Sequence, residues 1–117
     1  GIAPGTPARR RWGLPGVGRD EQALPSRFEF APPRPNPARN EVTFDFALPI
    51  TTRVSIAVFD VAGRRVRTVA EAIFTAGRHT RAWNRRTDEG VQVPSGAYFV
   101  RFQAPGVETV RKAVLIQ

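Results

Sequence analysis

The sequence predicts an all-β domain, an antiparallel β-sandwich of about seven strands. Three observations carry this. From Phe28 onward apolar and polar residues alternate at period 2, aromatic and β-branched residues fill the alternating positions, and turn residues interrupt the runs at short intervals.

The pattern begins with a short strand placed near 27–31. The run "EVTFDFAL" places Val42, Phe44, Phe46 and Leu48 on one face and Thr43, Asp45 and Ala47 on the other, predicting a strand over 41–48. "RVSIAVFDV" repeats the alternation through Val54, Ile56 and Val58 and predicts a strand over 52–60. Residues 64–70 form the next strand, with one ambiguity: "RTVAEAIF" is the only stretch with helical potential, although its Thr, Val and Ile suit a strand or an irregular crossing equally. A strand over 78–84 carries His79, Arg81 and Trp83 on one face. "GAYFVRF" opens a strand over 96–104 with Tyr98, Val100 and Phe102 together, and "VETVRKAVLIQ" closes the chain as a β-branched strand over 107–116. Between the runs stand Leu48-Pro49, Ala62-Gly63, Ala76-Gly77, Glu89-Gly90, Pro94-Ser95-Gly96 and Pro105-Gly106, whose glycines suit tight turns. Trp83 and Tyr98 are expected in the core with Phe44, Phe46, Val54, Ile56 and Val58.

Residues 1–26 read differently. Eight of the eleven prolines fall within residues 1–40, and the head of the chain shows neither a strand nor a helix period. It is expected to be a flexible Pro/Gly/Arg-rich linker, with the domain proper over 27–117. Trp12 and Leu14 form a weak docking point, and Arg9, Arg10 and Arg11 lack the interleaved aromatics of a nucleic-acid arm.

The chain's 117 residues suit one domain, and a hydrophobic share of 41% supports a modest core. Cysteine is absent, which excludes disulfides, thiolate metal sites and a cysteine nucleophile. No apolar run approaches the ~20 residues of a membrane helix, so membrane insertion is not expected. Because the first residue is Gly1, the chain is expected to be a processed or excised piece of something longer. The net charge of +8 is spread evenly: residues 1–40 hold seven basic and three acidic groups, residues 41–117 eleven and seven, so each part contributes +4. That spread argues against nucleic acid as a partner.

The stretch most like a site is "RRTDEGVQVPSGAYFVRF", residues 85–102. Counting back from Gly90 as the glycine of a calcium loop puts Glu89, Thr87 and Arg85 at the ligand positions, and an arginine in the first position rules that loop out. Ser95 lacks the preceding glycine of a nucleophile elbow. His79 is the only histidine, so neither a His-paired triad nor a His cluster for zinc can be assembled. Adjacent strand-end positions point Asp88 and Glu89 apart, which disfavours an acid–base pair. The stretch reads as a turn feeding a strand, with no catalytic residue, metal or cofactor expected.

Turns and strands in this order resemble a known family. Over residues 35–117 the chain is similar to the Ig-like domain family related to the flagellar hook-capping protein, a pattern that recurs as the C-terminal sorting domain of type IX secretion substrates. The motifs carrying the resemblance are "PNP" (35–37), "VFDVAGRRVRTV" (58–69), "AGRHTRAW" (76–83), "VPSGAYFVRF" (93–102) and "RKAVLIQ" (111–117). The resemblance implies an Ig-like, fibronectin type III-like sandwich. In it Pro35, Asn36 and Pro37 direct the chain into the first full strand, Asp60 and Gly63 bracket a hairpin turn, Gly77 is a structural-motif residue and Trp83 supplies a central ring. It also implies a non-catalytic address label on an exported bacterial protein that passes through the periplasm to the cell surface or beyond. The implied partners are the outer-membrane secretion machinery, a surface sortase-like protease and an upstream cargo domain. Gly96, Tyr98, Lys112, Val114, Leu115 and Ile116 are the residues it marks for sorting, with a tyrosine hydroxyl tied to backbone at the rim. A structural or adhesive Ig-like module, such as a carbohydrate-binding spacer or a hook-cap-type assembly part, is the alternative.

Two positions depart from the family pattern. Trp83-Asn84-Arg85 stands where Trp-Asp-Gly is usual, and because arginine does not replace glycine freely a different turn is expected. Arg81 stands where an apolar residue is common, so its strand is expected to be less deeply buried.

Overall fold

A computed structural model of the chain describes residues 24–117. The Arg9–Arg11 triplet, Trp12 and Leu14 lie outside the described residues. The described part folds into seven strands: β1 (Glu29–Phe30), β2 (Val42–Leu48), β3 (Thr52–Phe59), β4 (Arg65–Phe74), β5 (Gly77–Trp83), β6 (Gly96–Ala104) and β7 (Val107–Leu115). One sheet has the order β1-β2-β5 and the other β4-β3-β6-β7, and every strand pairing is antiparallel. The predicted sandwich is the observed one, and "RTVAEAIF" is strand, not helix.

The alternation read from the sequence sets the core. Phe44, Leu48, Val54, Ile56, Val58, Val100, Phe102 and Leu115 are all essentially inaccessible to solvent, and Trp83 and Tyr98 join them. Phe30 stacks on Phe102 at 5.0 Å, while Phe46 meets Phe74 edge-on at 5.3 Å, so rings from both sheets interdigitate across the layer.

Three details differ from the sequence reading. β4 runs to Phe74, four residues beyond the predicted end, because its pairing with β3 continues to the open end of the hairpin, where Thr52 faces Phe74. Register shifts between Ile56 and Ala57 and between Val58 and Phe59 leave extra residues on β4, which bends it where the alternation weakens. Ala47, placed by alternation on the solvent side, is only 1% exposed. Its cross-strand neighbours are Glu29 and Arg78, and these pair with each other at 3.5 Å, roofing the methyl group between them. β5 is mostly exposed outside Trp83, as the departure at Arg81 implies, and the Arg81 guanidinium lies 4.8 Å from the centre of the Phe74 ring.

Candidate functional site: the last strand and its clasp

β7 is an edge strand, paired with β6 from Val107↔Ala104 to Leu115↔Gly96. An edge strand presents a row of unpaired backbone groups, and this one is covered over its last residues by the segment that leads into β2. The Asn36 side chain does the work of a strand residue: its Nδ2 donates to the Lys112 carbonyl at 2.9 Å and its Oδ1 accepts from the Val114 N–H at 2.9 Å. Ala38 continues the cover in parallel, donating to the Val114 carbonyl and accepting from the Ile116 N–H, each at 2.9 Å. Arg39 donates to the Gln117 carbonyl. Pro35 and Pro37 flank Asn36, and both bonds preceding them are cis. The "PNP" motif therefore does more than direct the chain into a strand; it closes the edge of the last one.

Alternation along β7 splits the residues marked for sorting. Leu115 is buried in the core beside Ala113, and Tyr98 is buried across the strand from Ala113. Lys112 is exposed, Val114 is half-buried and Ile116 lies just past the strand end. Arg111 reaches across the layer instead, donating to the Phe30 carbonyl from Nε at 3.0 Å and Nη2 at 2.8 Å.

The outward side of the larger sheet places Lys112 next to Phe99 and Phe59 in one cross-strand row, and Val110 next to Arg101 and Ala57 in the next. Phe59 and Phe99 are half-buried, Val110 is 54% exposed, and the Arg101 guanidinium sits 4.7 Å from the centre of the Phe59 ring. Together with Asp60, Val61, Gly63 and Glu108 these residues line a shallow groove of about 390 Å³. Phe59 and Phe99 were not singled out by sequence reasoning, though both fall on the polar phase of their strands.

The Asp60–Gly63 turn at the end of this groove is built as its residues imply. The Gly63 N–H donates to the Asp60 carbonyl, the Asp60 carboxylate accepts from the Ala62 and Arg64 N–H groups, and Gly63 holds φ +83°. The bond from the Arg64 N–H is the main reason the Asp60 carboxyl is held below its ordinary range. On the opposite sheet the Arg34 side chain, with help from the Thr80 hydroxyl, lowers Asp45 in the same way.

Residues 85–102 form a turn feeding a strand. Thr87 caps the loop, its hydroxyl accepting from the Glu89 and Val91 N–H groups. Asp88 turns back to β4, donating from its N–H to the Val66 carbonyl and accepting at its carboxylate from the Thr68 N–H. Among the described residues no three His, Asp or Glu side chains lie together as metal ligands.

Beyond that loop lies the rim. The Trp83 ring meets Tyr98 edge-on at 5.6 Å and its N–H donates to the Arg86 carbonyl at 2.8 Å. The Tyr98 hydroxyl donates to the Pro94 carbonyl at 2.7 Å, as the resemblance implies, and burial raises its pKa against the opposing pull of the Arg85 charge. Arg85 is the residue sequence reasoning valued least. It is 7% exposed and holds φ +69°, so the backbone keeps the left-handed turn that a glycine would take, and arginine accommodates it. The arginine thus adopts a conformation that it does not take freely. The side chain accounts for the exception, donating to the Arg39, Ile116 and Val93 carbonyls and to the Ser95 hydroxyl.

The remaining marked positions are spread out. Gly96 opens β6 opposite Leu115, and Gly77 opens β5 opposite Leu48 on the other sheet. The structure thus gathers Pro35–Pro37, Gly96, Tyr98 and residues 112–116 around the last strand, and leaves Gly77 apart.

Comparison with known proteins fits this arrangement. A family model described as a secretion system C-terminal sorting domain matches residues 35–117, which hold β2 to β7 and the segment that covers the edge of β7. No curated protein matches the chain. Among solved structures, dimeric latent PorU from Porphyromonas gingivalis is similar at 20% identity with a TM-score of 0.63, over 88% of this chain and 10% of that one. PorZ of the same bacterium, described as an essential surface component of its type-IX secretion system, is similar at 21% identity with a TM-score of 0.49, over 86% of this chain and 13% of that one. The chain therefore spans only a small part of the proteins it resembles, and the likeness to PorU is one of fold. The family match supports the sorting-domain half of the resemblance and lends none to the hook-capping half. The chain belongs to the family of secretion system C-terminal sorting domains, and acts as a sorting signal for type IX secretion on a protein that is exported to the surface or beyond.

Proposed function

We propose that the secretion machinery reads this domain through the outward side of β6 and β7, centred on Lys112, Val114, Phe99 and Val110. One observation carries the reading: the backbone edge of β7 from Lys112 onward is occupied by Asn36 and Ala38, while the outward side chains of the same strand stay accessible. With the edge taken, strand addition is not open there, and side chains supply the contact. A half-exposed ring beside a lysine and an arginine suits a partner surface that is apolar with acidic groups at its rim. Gly96, Tyr98, Leu115 and Ile116 hold that surface in shape from within or from the strand ends. A cargo domain preceding this chain, and a surface sortase-like protease that separates the two after export, complete the proposal.

The test is a reporter fused ahead of the full chain in a bacterium with type IX secretion. Lys112→Ala is expected to lower surface delivery several-fold at unchanged melting temperature. Delivery equal to the parent would sink the assignment of this face.

The groove between Phe59 and Phe99 favours one alternative, an adhesive module that stacks a sugar ring. Glycan-array binding abolished by Phe99→Ser, with delivery intact, would select it.

A further inference from the structure

Glycine is the residue that a backbone at φ +69° accommodates without a Cβ clash, and Arg85 occupies that conformation. Among the described residues it is also the buried charged side chain, and no carboxylate there pairs with it. A buried guanidinium without an acid is tolerated only when other acceptors replace water, and strain of this kind persists only where the surroundings over-determine it. Both costs fall on one residue, and what they accomplish is a link between three segments distant in sequence.

The link has a definite place. β6 begins at Gly96, opposite Leu115, so the chain beyond Leu115 has no neighbour on that side of the sheet. Ile116 is held from the other side, its N–H donating to the Ala38 carbonyl. Its own carbonyl accepts from Arg85 Nη1 at 3.0 Å, and the same nitrogen donates to the Arg39 carbonyl. Nε of that guanidinium reaches the Val93 carbonyl at 3.3 Å, just before β6. Arg39 in turn donates to the Gln117 carbonyl. One rigid fork of donors thereby fastens the tail, the segment leading into β2 and the loop leading into β6, a task for which lysine's ammonium has too few fixed donors.

We propose that Arg85 is a positioning residue for the terminal strand, a clasp that locks Ile116 and Gln117 against the lead-in segment so that the machinery meets the strand docked rather than peeled from the sheet. The functional half of this rests on the sorting role; the geometric half does not.

Hydrogen exchange of the full chain, resolved by residue, separates a local clasp from a general loss of stability. In Arg85→Gly the backbone keeps a residue suited to its φ while the fork is removed. The Ile116 amide is expected to exchange at least tenfold faster, with the Ile56 and Val100 amides unchanged, and Arg85→Lys is expected to fall between the two. An unchanged Ile116 amide, or core amides accelerating by the same factor, would overturn the clasp. In the reporter fusion Arg85→Gly is expected to cut surface delivery several-fold. Equal or greater delivery with a freed Ile116 would show that the peeled strand is read, overturning the docked form. A parent fusion that never reaches the surface would remove the sorting role and leave the clasp to the exchange data.

Discussion

Replacing Trp83 with alanine probes the packing on which the sorting face depends. The ring is 1% exposed, lies opposite Val42 on the neighbouring strand, and meets Tyr98 edge-on. Truncating a ring of this size in a core costs about 3–5 kcal/mol, from lost transfer energy and the cavity left behind. The indole N–H bond to the Arg86 carbonyl adds about 1 kcal/mol, placing the loss at the upper end of that range. Trp83→Phe keeps a ring on Tyr98 but gives up that bond and part of the area, and a loss of about 1–2 kcal/mol is expected. In a double-mutant cycle with Tyr98→Ala the coupling should be about 0.5–1.5 kcal/mol. Urea unfolding followed by circular dichroism suits the measurement, because it is blind to Trp12. A loss below about 1 kcal/mol for Trp83→Ala would show that the ring is not seated between the sheets, and the face assignment of β5 would fall with it.

Other outcomes follow from particular bonds. Asn36→Ala removes both hydrogen bonds to the edge of β7 and should cost about 1–2 kcal/mol, with faster exchange at the Val114 amide; an unchanged midpoint would mean that the edge is closed without it. Gly63→Ala meets no atom within 4 Å but sits at φ +83°, so the conformational penalty alone, about 1–2 kcal/mol, should appear in the unfolding midpoint. The Asp45 and Asp60 carboxyls are depressed in the fold, Asp45 chiefly by the Arg34 side chain and Asp60 chiefly by the Arg64 N–H. Their stabilisation is present above the unfolded-state value of about 4 and is lost as the pH falls through the lower folded values. Asp45→Asn with Asp60→Asn should therefore flatten the acid limb of the stability profile, and a limb as steep as the parent's would contradict the assignment.

Much of this was legible in the chain because period 2 is a direct record of which side of a sheet a residue takes. Val54, Ile56 and Val58 are placed correctly by spacing alone, and Ala62-Gly63 marks its turn by residue type. Spacing says nothing about what covers an outer face, which is why the burial of Ala47 under the Glu29–Arg78 pair was missed. Nor does it register side chains that act on distant backbone. Asn36 reaches residues 76 and 78 positions away, so its role as a stand-in strand residue leaves no local trace. The exchange of glycine for Arg85 was visible as a departure from the family pattern; its compensation, four acceptors drawn from three segments, was visible only once the segments met.

The sorting role itself is tested most directly by delivery. A periplasm-directed reporter carrying the full chain at its C-terminus, expressed in a bacterium with type IX secretion, is expected to appear at the surface or in the medium. The same reporter lacking Arg111–Gln117 is expected to remain in the periplasm. Surface delivery of the reporter without this domain, or retention of the reporter that carries it intact, would contradict the account.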